Sequence, residues 1–139
     1  MGELANEAGG TKLKILLVDD SKVVMQIYKE ALSDNLYEKR FAMNGQDALN
    51  FYRTWQPDLI LLDIVLPVTT GYSALKEIRR IEKDTGTRTA IIMVTSLADK
   101  SDINDCARLG IQGYIVKPFQ ATELAAKIEH YYAAYVKSR

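Results

Sequence analysis

Three carboxylates, a hydroxyl and an ammonium each stand just past a short apolar run of this chain. Asp19-Asp20 follow Ile15-Leu16-Leu17-Val18, and Asp63 follows Leu59-Ile60-Leu61-Leu62. Thr95-Ser96 follow Ala90-Ile91-Ile92-Met93-Val94, and Lys117-Pro118 follow Tyr114-Ile115-Val116. A charge in such a place gains nothing from the core, so another requirement must set its type. Taken singly, each reads as a cap or a solubilising loop residue: Asp20 or Ser21 could start a helix, and Thr95 or Ser96 could end a strand. Taken together at strand ends, they read as a site. Three carboxylates crowded there repel one another if ionised. A hard cation bound through oxygen resolves that conflict, and Mg²⁺ with several retained waters suits so sparse a ligand set.

The elements that must bring these residues together alternate along the chain. The apolar runs above give the first, third, fourth and fifth strands, with a weaker second strand over Lys39 to Met43. Between them lie helical stripes. Ser21 precedes Val24, Ile27, Tyr28, Ala31 and Leu32; Asn44-Gly45 precede Ala48, Leu49, Tyr52 and Trp55. Leu75, Ile78 and Ile81 mark a third helix. Ile103, Cys106 and Ala107 mark a fourth, with Gly110 as its C-cap. Leu124, Ile128, Tyr131 and Tyr135 form the stripe of the last. Five β-α units imply an α/β fold, a doubly wound parallel sheet with helices on both faces and right-handed crossovers. In such sheets ligands sit beyond the C-terminal ends of the strands, where the polar residues fall.

Composition narrows the rest. The 139 residues suffice for one domain, and 47% hydrophobic against 26% charged residues suits a soluble globular chain. Eighteen basic residues balance eighteen acidic ones, which argues against nucleic acid as the main partner. No apolar run is long enough to span a bilayer, and Met1 to Gly10 lack the apolar core of a signal peptide. The single cysteine, Cys106, suits a reducing compartment, so a cytoplasmic protein is expected. Residues 1–11 are polar and Gly-rich and read as a disordered extension; the domain proper is expected over 12–139.

The order and spacing of Asp19-Asp20, Asp63 with Pro67 and Gly71, Thr95, and Lys117-Pro118-Phe119 resemble the motifs of response-regulator receiver domains, the CheY-like family. Ala107-Arg108-Leu109-Gly110-Ile111-Gln112-Gly113-Tyr114 is similar to that family's approach to its fifth strand. The likeness covers roughly residues 12 to 137. It implies a flavodoxin-like sheet of strand order 2-1-3-4-5 and a phosphorylation-controlled module of a two-component phosphorelay rather than an enzyme with turnover. It implies Asp63 as phosphoacceptor, taking the phosphoryl group from a sensor histidine kinase or phosphotransfer protein. Asp20 and Asp63 would bind Mg²⁺ directly, Asp19 through water, and Val65 through its backbone carbonyl. Thr95 and Lys117 would contact the phosphoryl oxygens, with Thr95 and Tyr114 as the switch pair. The signalling surface would be the face of the fourth helix, fifth strand and fifth helix, meeting a downstream protein or a second copy. Since the chain stops at Arg139, a stand-alone receiver is expected, or one excised from a longer regulator.

The resemblance makes chemical sense. A carboxylate can form an aspartyl-phosphate. Phosphoryl transfer needs mainly positioning and neutralisation, which a cation and a lysine supply. The sequence departs from the common pattern at Val65 and Leu97, apolar where polar residues are frequent beside the phosphoryl group, so the family pattern does not fix its phosphoryl lifetime. Thr70 and Ser96 are further departures. A haloacid-dehalogenase-type phosphatase would need a carboxylate at position 65. A flavin carrier would need a hydroxyl- and Gly-rich loop where Asp19-Asp20 stand. His130 reads as a cation near the end of the last helix, Cys106 as a small core residue, and Trp55 as closing the second helix against the sheet. The Lys117-Pro118 bond is expected to be cis, because X-Pro bonds keep a trans preference of only ~0.5–1 kcal/mol and the turn is sharp.

Overall fold

The computed structural model describes residues 12–96 and 100–139; the expected extension over 1–11 and the apolar Leu97 lie outside the described residues. Five strands, β1 (Leu13–Val18), β2 (Tyr37–Ala42), β3 (Leu59–Asp63), β4 (Ala90–Ser96) and β5 (Gly113–Lys117), alternate with five helices. These are α1 (Lys22–Ala31), α2 (Gly45–Trp55), α3 (Gly71–Thr85), α4 (Lys100–Leu109) and α5 (Ala121–Ser138). The sheet order is β2-β1-β3-β4-β5, as expected, and every neighbouring pair is parallel. Register aligns the strand ends: Val18 pairs with Ala42 and Leu62, Asp63 with Val94, and Ser96 with Lys117.

The β1 and β3 runs lack alternation because both faces of the sheet are covered. Leu13, Ile15, Leu17, Leu59 and Leu61 pack under α1 and α5 through Met25, Tyr28, Leu32, Leu124, Ile128, Tyr132 and Tyr135. Leu16, Val18, Ile60 and Leu62 pack on the other face under Leu49, Tyr52, Leu75, Ile78 and Cys106 from α2, α3 and α4. Caps fix where helices begin. Ser21 accepts a hydrogen bond from Val24 N, Asn44 from Asp47 N, and Thr70 from Ser73 N. Gly110 ends α4 at φ 101, where a side chain would be strained.

Four readings from the sequence need correction. β2 begins at Tyr37 and leaves Met43 outside, because this edge strand carries Glu38, Lys39 and Arg40, which hide its alternation. On α5 the buried aromatics are Tyr132 and Tyr135, with Tyr131 only half-buried. His130 is not at a helix C-terminus: α5 runs on to Ser138, and His130 is an exposed mid-helix residue packed edge-on against Tyr131. Ala107 faces solvent. Trp55 closes α2 against the core as expected, packing partly buried on that face, with the cations of Lys14 and Arg40 5.2 and 5.0 Å from its ring.

Cys106 is fully buried, and burial, with Asp102 and Asp105 adding to it, pushes its thiol up to about 11. A native protein at mildly alkaline pH should therefore not react with a disulfide reagent, while the denatured chain should react with one equivalent. Fast labelling of the folded protein would contradict this burial. No helix among the described residues is long and apolar enough to cross a membrane.

Candidate functional site

Asp19 lies one residue past β1, yet the ladder reaches it: its N–H donates to Ala42 O at 3.1 Å. Its carboxylate therefore turns inward and is fully buried, with Oδ1 accepting from Ser21 N at 2.9 Å. Asp20 beside it is exposed. Asp63 is the last residue of β3, and Oδ1 accepts from Val65 N at 3.2 Å. The loop beyond it closes where Gly71 N donates to Ile64 O at 2.9 Å, so α3 starts directly against the strand end. A Cβ on Gly71 would lie 1.9 Å from Asp63 O, which is why only glycine fits there.

Lys117 ends β5 and reaches across β4. Its Nζ lies 2.8 Å from Asp19 Oδ2 and 3.0 Å from Asp63 Oδ2. The Lys117–Pro118 bond is cis, as expected, and Phe119 turns back to stack on Tyr28 with ring centroids 5.9 Å apart. Thr95, buried near the end of β4, donates from Oγ1 to Ser96 O at 3.0 Å. One oxygen from each of Asp19, Asp20 and Asp63 falls within 4.8 Å of the others. The sequence-predicted carboxylates and ammonium thus meet. Tyr114 stands apart from them: it pairs with Met93 on β4, and its ring is 46% exposed.

The electrostatics are unbalanced. Burial raises the Asp63 pKa, the hydrogen bond and charge of Lys117 pull it back, and Asp19 pushes it up again; the net direction is upward. Burial alone would lower the Lys117 pKa, but its hydrogen bonds to Asp19 and Asp63 outweigh that and raise it. Three carboxylates against one ammonium leave two negative charges within a few ångströms. An all-oxygen donor set with that excess fits a hard divalent cation.

Sequence reasoning missed Tyr28. Its hydroxyl is buried without a hydrogen-bond partner among the described residues. Its pKa is raised well above the usual by burial, then by the charges of Asp19 and Asp63. The helical stripe marks its ring as core, but nothing in the sequence says which way the hydroxyl points. A second feature was also missed. Val23, Met43, Val65 and Val68 are all exposed on the loops and helix start around the acidic cluster. Val68 holds φ 67, a rare conformation for a β-branched residue.

Comparison with known proteins follows the same lines. Residues 15–129 match the family model of the response regulator receiver domain. The chemotaxis protein CheY of Halobacterium salinarum is 37% identical over 77% of this chain and 86% of its own length. A probable transcriptional regulator ycf27 of Guillardia theta is 40% identical over 85% of this chain but only 44% of its own length, so the chain spans less than half of that relative. Among solved structures, the chemotaxis response regulator CheY4 of Vibrio cholerae superposes with TM-score 0.78 at 30% identity over 87% of this chain and 99% of its own. The receiver domain of Ssk1 from Saccharomyces cerevisiae, solved with the histidine phosphotransfer protein Ypd1, matches with TM-score 0.78 at 28% identity over 86% of this chain and 88% of its own.

Proposed function

Because the chain belongs to the response regulator receiver domain family, we propose that it is a phosphorylation-controlled signalling module with Asp63 as phosphoacceptor, its receiver unit spanning residues 12–139. The observation that carries this is the Asp63 carboxylate, held 3.0 Å from Lys117 Nζ with Asp19 and Asp20 oxygens alongside. The donor is a sensor histidine kinase or phosphotransfer protein, as the pairing of Ypd1 with the Ssk1 receiver supports. No membrane or nucleic acid is needed for this role, and a cytoplasmic setting suits it.

The steps follow from the residues. An Asp63 oxygen attacks phosphorus as the donor's N–P bond breaks, giving an acyl phosphate and returning the electron pair to the donor imidazole. Lys117, already between Asp19 and Asp63, neutralises part of the phosphoryl charge without a bidentate fork. Asp19, Asp20 and Asp63, with the Val65 carbonyl, would hold Mg²⁺, which when bound screens the phosphoryl oxygens. Thr95 would donate to a phosphoryl oxygen in place of Ser96 O. Asp63 is only 6% exposed, so a donor must bring its reacting group into the site. The apolar collar of Val23, Met43, Val65 and Val68 is then the surface its flanks would meet. The chain is a switch rather than a turnover catalyst. The test is incubation with acetyl phosphate and Mg²⁺ followed by intact mass: a gain of one phosphoryl group, absent without the cation, is expected. No mass gain under any divalent cation would overturn the reading.

The output would travel through Thr95 and Tyr114. In this structure Thr95 is buried, the Tyr114 ring points outward, and the Tyr131 hydroxyl donates to Tyr114 O at 3.2 Å, tying β5 to α5. Drawing the Thr95 hydroxyl toward a phosphoryl group would vacate space for the ring, and partner affinity would be linked reciprocally to phosphorylation. Beryllofluoride with Mg²⁺ is therefore expected to shift the amides of Thr95, Ser96, Tyr114 and α5. It should also strengthen binding of a target, or of a second copy, on the α4-β5-α5 face. Shifts that stop at Asp63 and its immediate neighbours would remove Tyr114 from the switch.

A further inference from the structure

We propose that a cavity at the opposite pole of the sheet binds a small organic phosphate. It lies where the strands begin, between Gln56–Asp58 before β3, Thr85–Thr89 before β4 and the last turns of α5, and its volume is about 410 Å³. That falls within the ~300–1,000 Å³ typical of ligand pockets. The five residues of β3 separate it from Asp63, roughly 16 Å at the rise of an extended strand. The two sites are therefore distinct, and an anion here avoids the three carboxylates.

Its floor is aromatic and already fixed. Tyr52 is buried and lines the cavity beside Thr87 and Thr89. Tyr132 and Tyr135 are buried as a tilted pair with centroids 5.7 Å apart. The mouth is cationic. The guanidinium carbons of Arg88 and Arg139 lie 5.9 and 5.8 Å from the same Tyr135 ring. Among the described residues neither has an ion-pair partner. Arg53 stands at the same rim, 3.6 Å from Glu77, a carboxylate it shares with Arg80. The single carboxylate of the lining, Asp58, accepts from Lys14 N at 2.9 Å. Counting the Glu77 carboxylate that offsets Arg53, three guanidiniums against two carboxylates leave an excess of one positive charge. The chain as a whole is balanced at eighteen against eighteen, so this excess is local.

Two guanidiniums against the same ring repel each other, and an anion bound by both would offset that cost. Guanidinium forks match phosphate oxygens in paired hydrogen bonds. The tyrosine floor gives the rest of the ligand an apolar bed, which inorganic phosphate would leave unused. The ligand class is therefore a phosphate monoester with a compact, planar or apolar body.

The test titrates isotope-labelled protein with AMP, adenosine and inorganic phosphate, without divalent cations. AMP should give saturable amide shifts around Arg53, Arg88 and Tyr135, with a dissociation constant of about 1 mM or tighter. Adenosine and inorganic phosphate should each bind much more weakly. Arg88→Gln combined with Arg139→Gln should weaken AMP binding about tenfold or more. Both residues are exposed, so the melting temperature should hold, and Arg88→Lys should fall between wild type and the double variant. Shifts centred on Asp63 and Lys117, an unchanged affinity in the double variant, inorganic phosphate equal to AMP, or no saturation would each overturn the proposal.

Discussion

Asp63→Asn is expected to abolish phosphoryl uptake from acetyl phosphate while leaving the fold intact. The amide keeps an oxygen for the Val65 N–H, 3.2 Å away in the parent, but no longer offers an ionised oxygen to attack phosphorus. Lys117 loses its 3.0 Å partner and keeps Asp19 at 2.8 Å, so no buried charge is orphaned. Stability should move the other way. The Asp63 pKa is raised in the fold, first by burial and then by Asp19 against the opposing pull of Lys117. A carboxyl raised in the folded state stabilises below its unfolded value of about 3.9, and that contribution is lost as pH rises through the folded value. At neutral pH the ionised group therefore costs stability. Without divalent cations, Asp63→Asn should melt above the wild type at pH 7, and the gap should close in acid. Added Mg²⁺ should raise the wild-type melting temperature more than the mutant's, because it relieves crowding that the mutant has already reduced. Intact mass and thermal melts read both effects. One phosphoryl group per chain in the mutant would sink the assignment of Asp63.

The candidate site was legible in the sequence because it breaks the rule that governs the rest of the chain. Asp19, Asp63 and Lys117 stand where apolar runs end, and parallel register carries such ends to one edge whatever the loops do. Strands β1, β3 and β4 were equally plain, since burial on both faces leaves uninterrupted apolar residues. What failed was direction within an element. Tyr131 and Tyr132 are adjacent on α5, and both fit a 3.6-residue stripe within its width; only packing against the core picks Tyr132. The end of α5 carries no Gly or Pro to mark it, so His130 was placed too near the terminus. The Tyr28 hydroxyl beneath the carboxylates and the arginine-rimmed cavity were out of reach for a further reason. Each joins segments far apart in the chain whose contacts leave no local pattern.

Gly71→Ala is expected to be the most damaging single-methyl substitution at the site, although residue 71 makes no contact with a phosphoryl group in the proposed chemistry. Its added Cβ would sit 1.9 Å from Asp63 O, 2.8 Å from Asp63 C and 2.8 Å from Ile64 Cα, all backbone atoms of the strand end. A flexible side chain could swing away from such a clash, but these atoms cannot. Ile64 N is bonded to Val94 O at 3.1 Å, and Ile64 O accepts from Gly71 N at 2.9 Å. Relief therefore requires α3 to retreat from β3 or the end of β3 to leave the sheet. Overpacking of this kind costs about 3 kcal/mol, and for a chain of this size that lowers the melting temperature by about 10 °C. The helix gains some of this back, because alanine is favoured over glycine inside a helix by about 1 kcal/mol, but residue 71 is the first of α3, where that gain is smallest. The clash should dominate. The same displacement moves the Asp63 carboxylate relative to Lys117, so phosphoryl uptake should slow even below the melting transition, and Mg²⁺ should stabilise the variant less than the parent. A Gly71→Ala protein with parental melting temperature and parental uptake rate would show that α3 is not seated against the strand end as described. Gly86→Ala supplies the control: it ends α3 at φ 74 with open space around it, so it should cost stability through backbone strain alone and leave uptake unchanged.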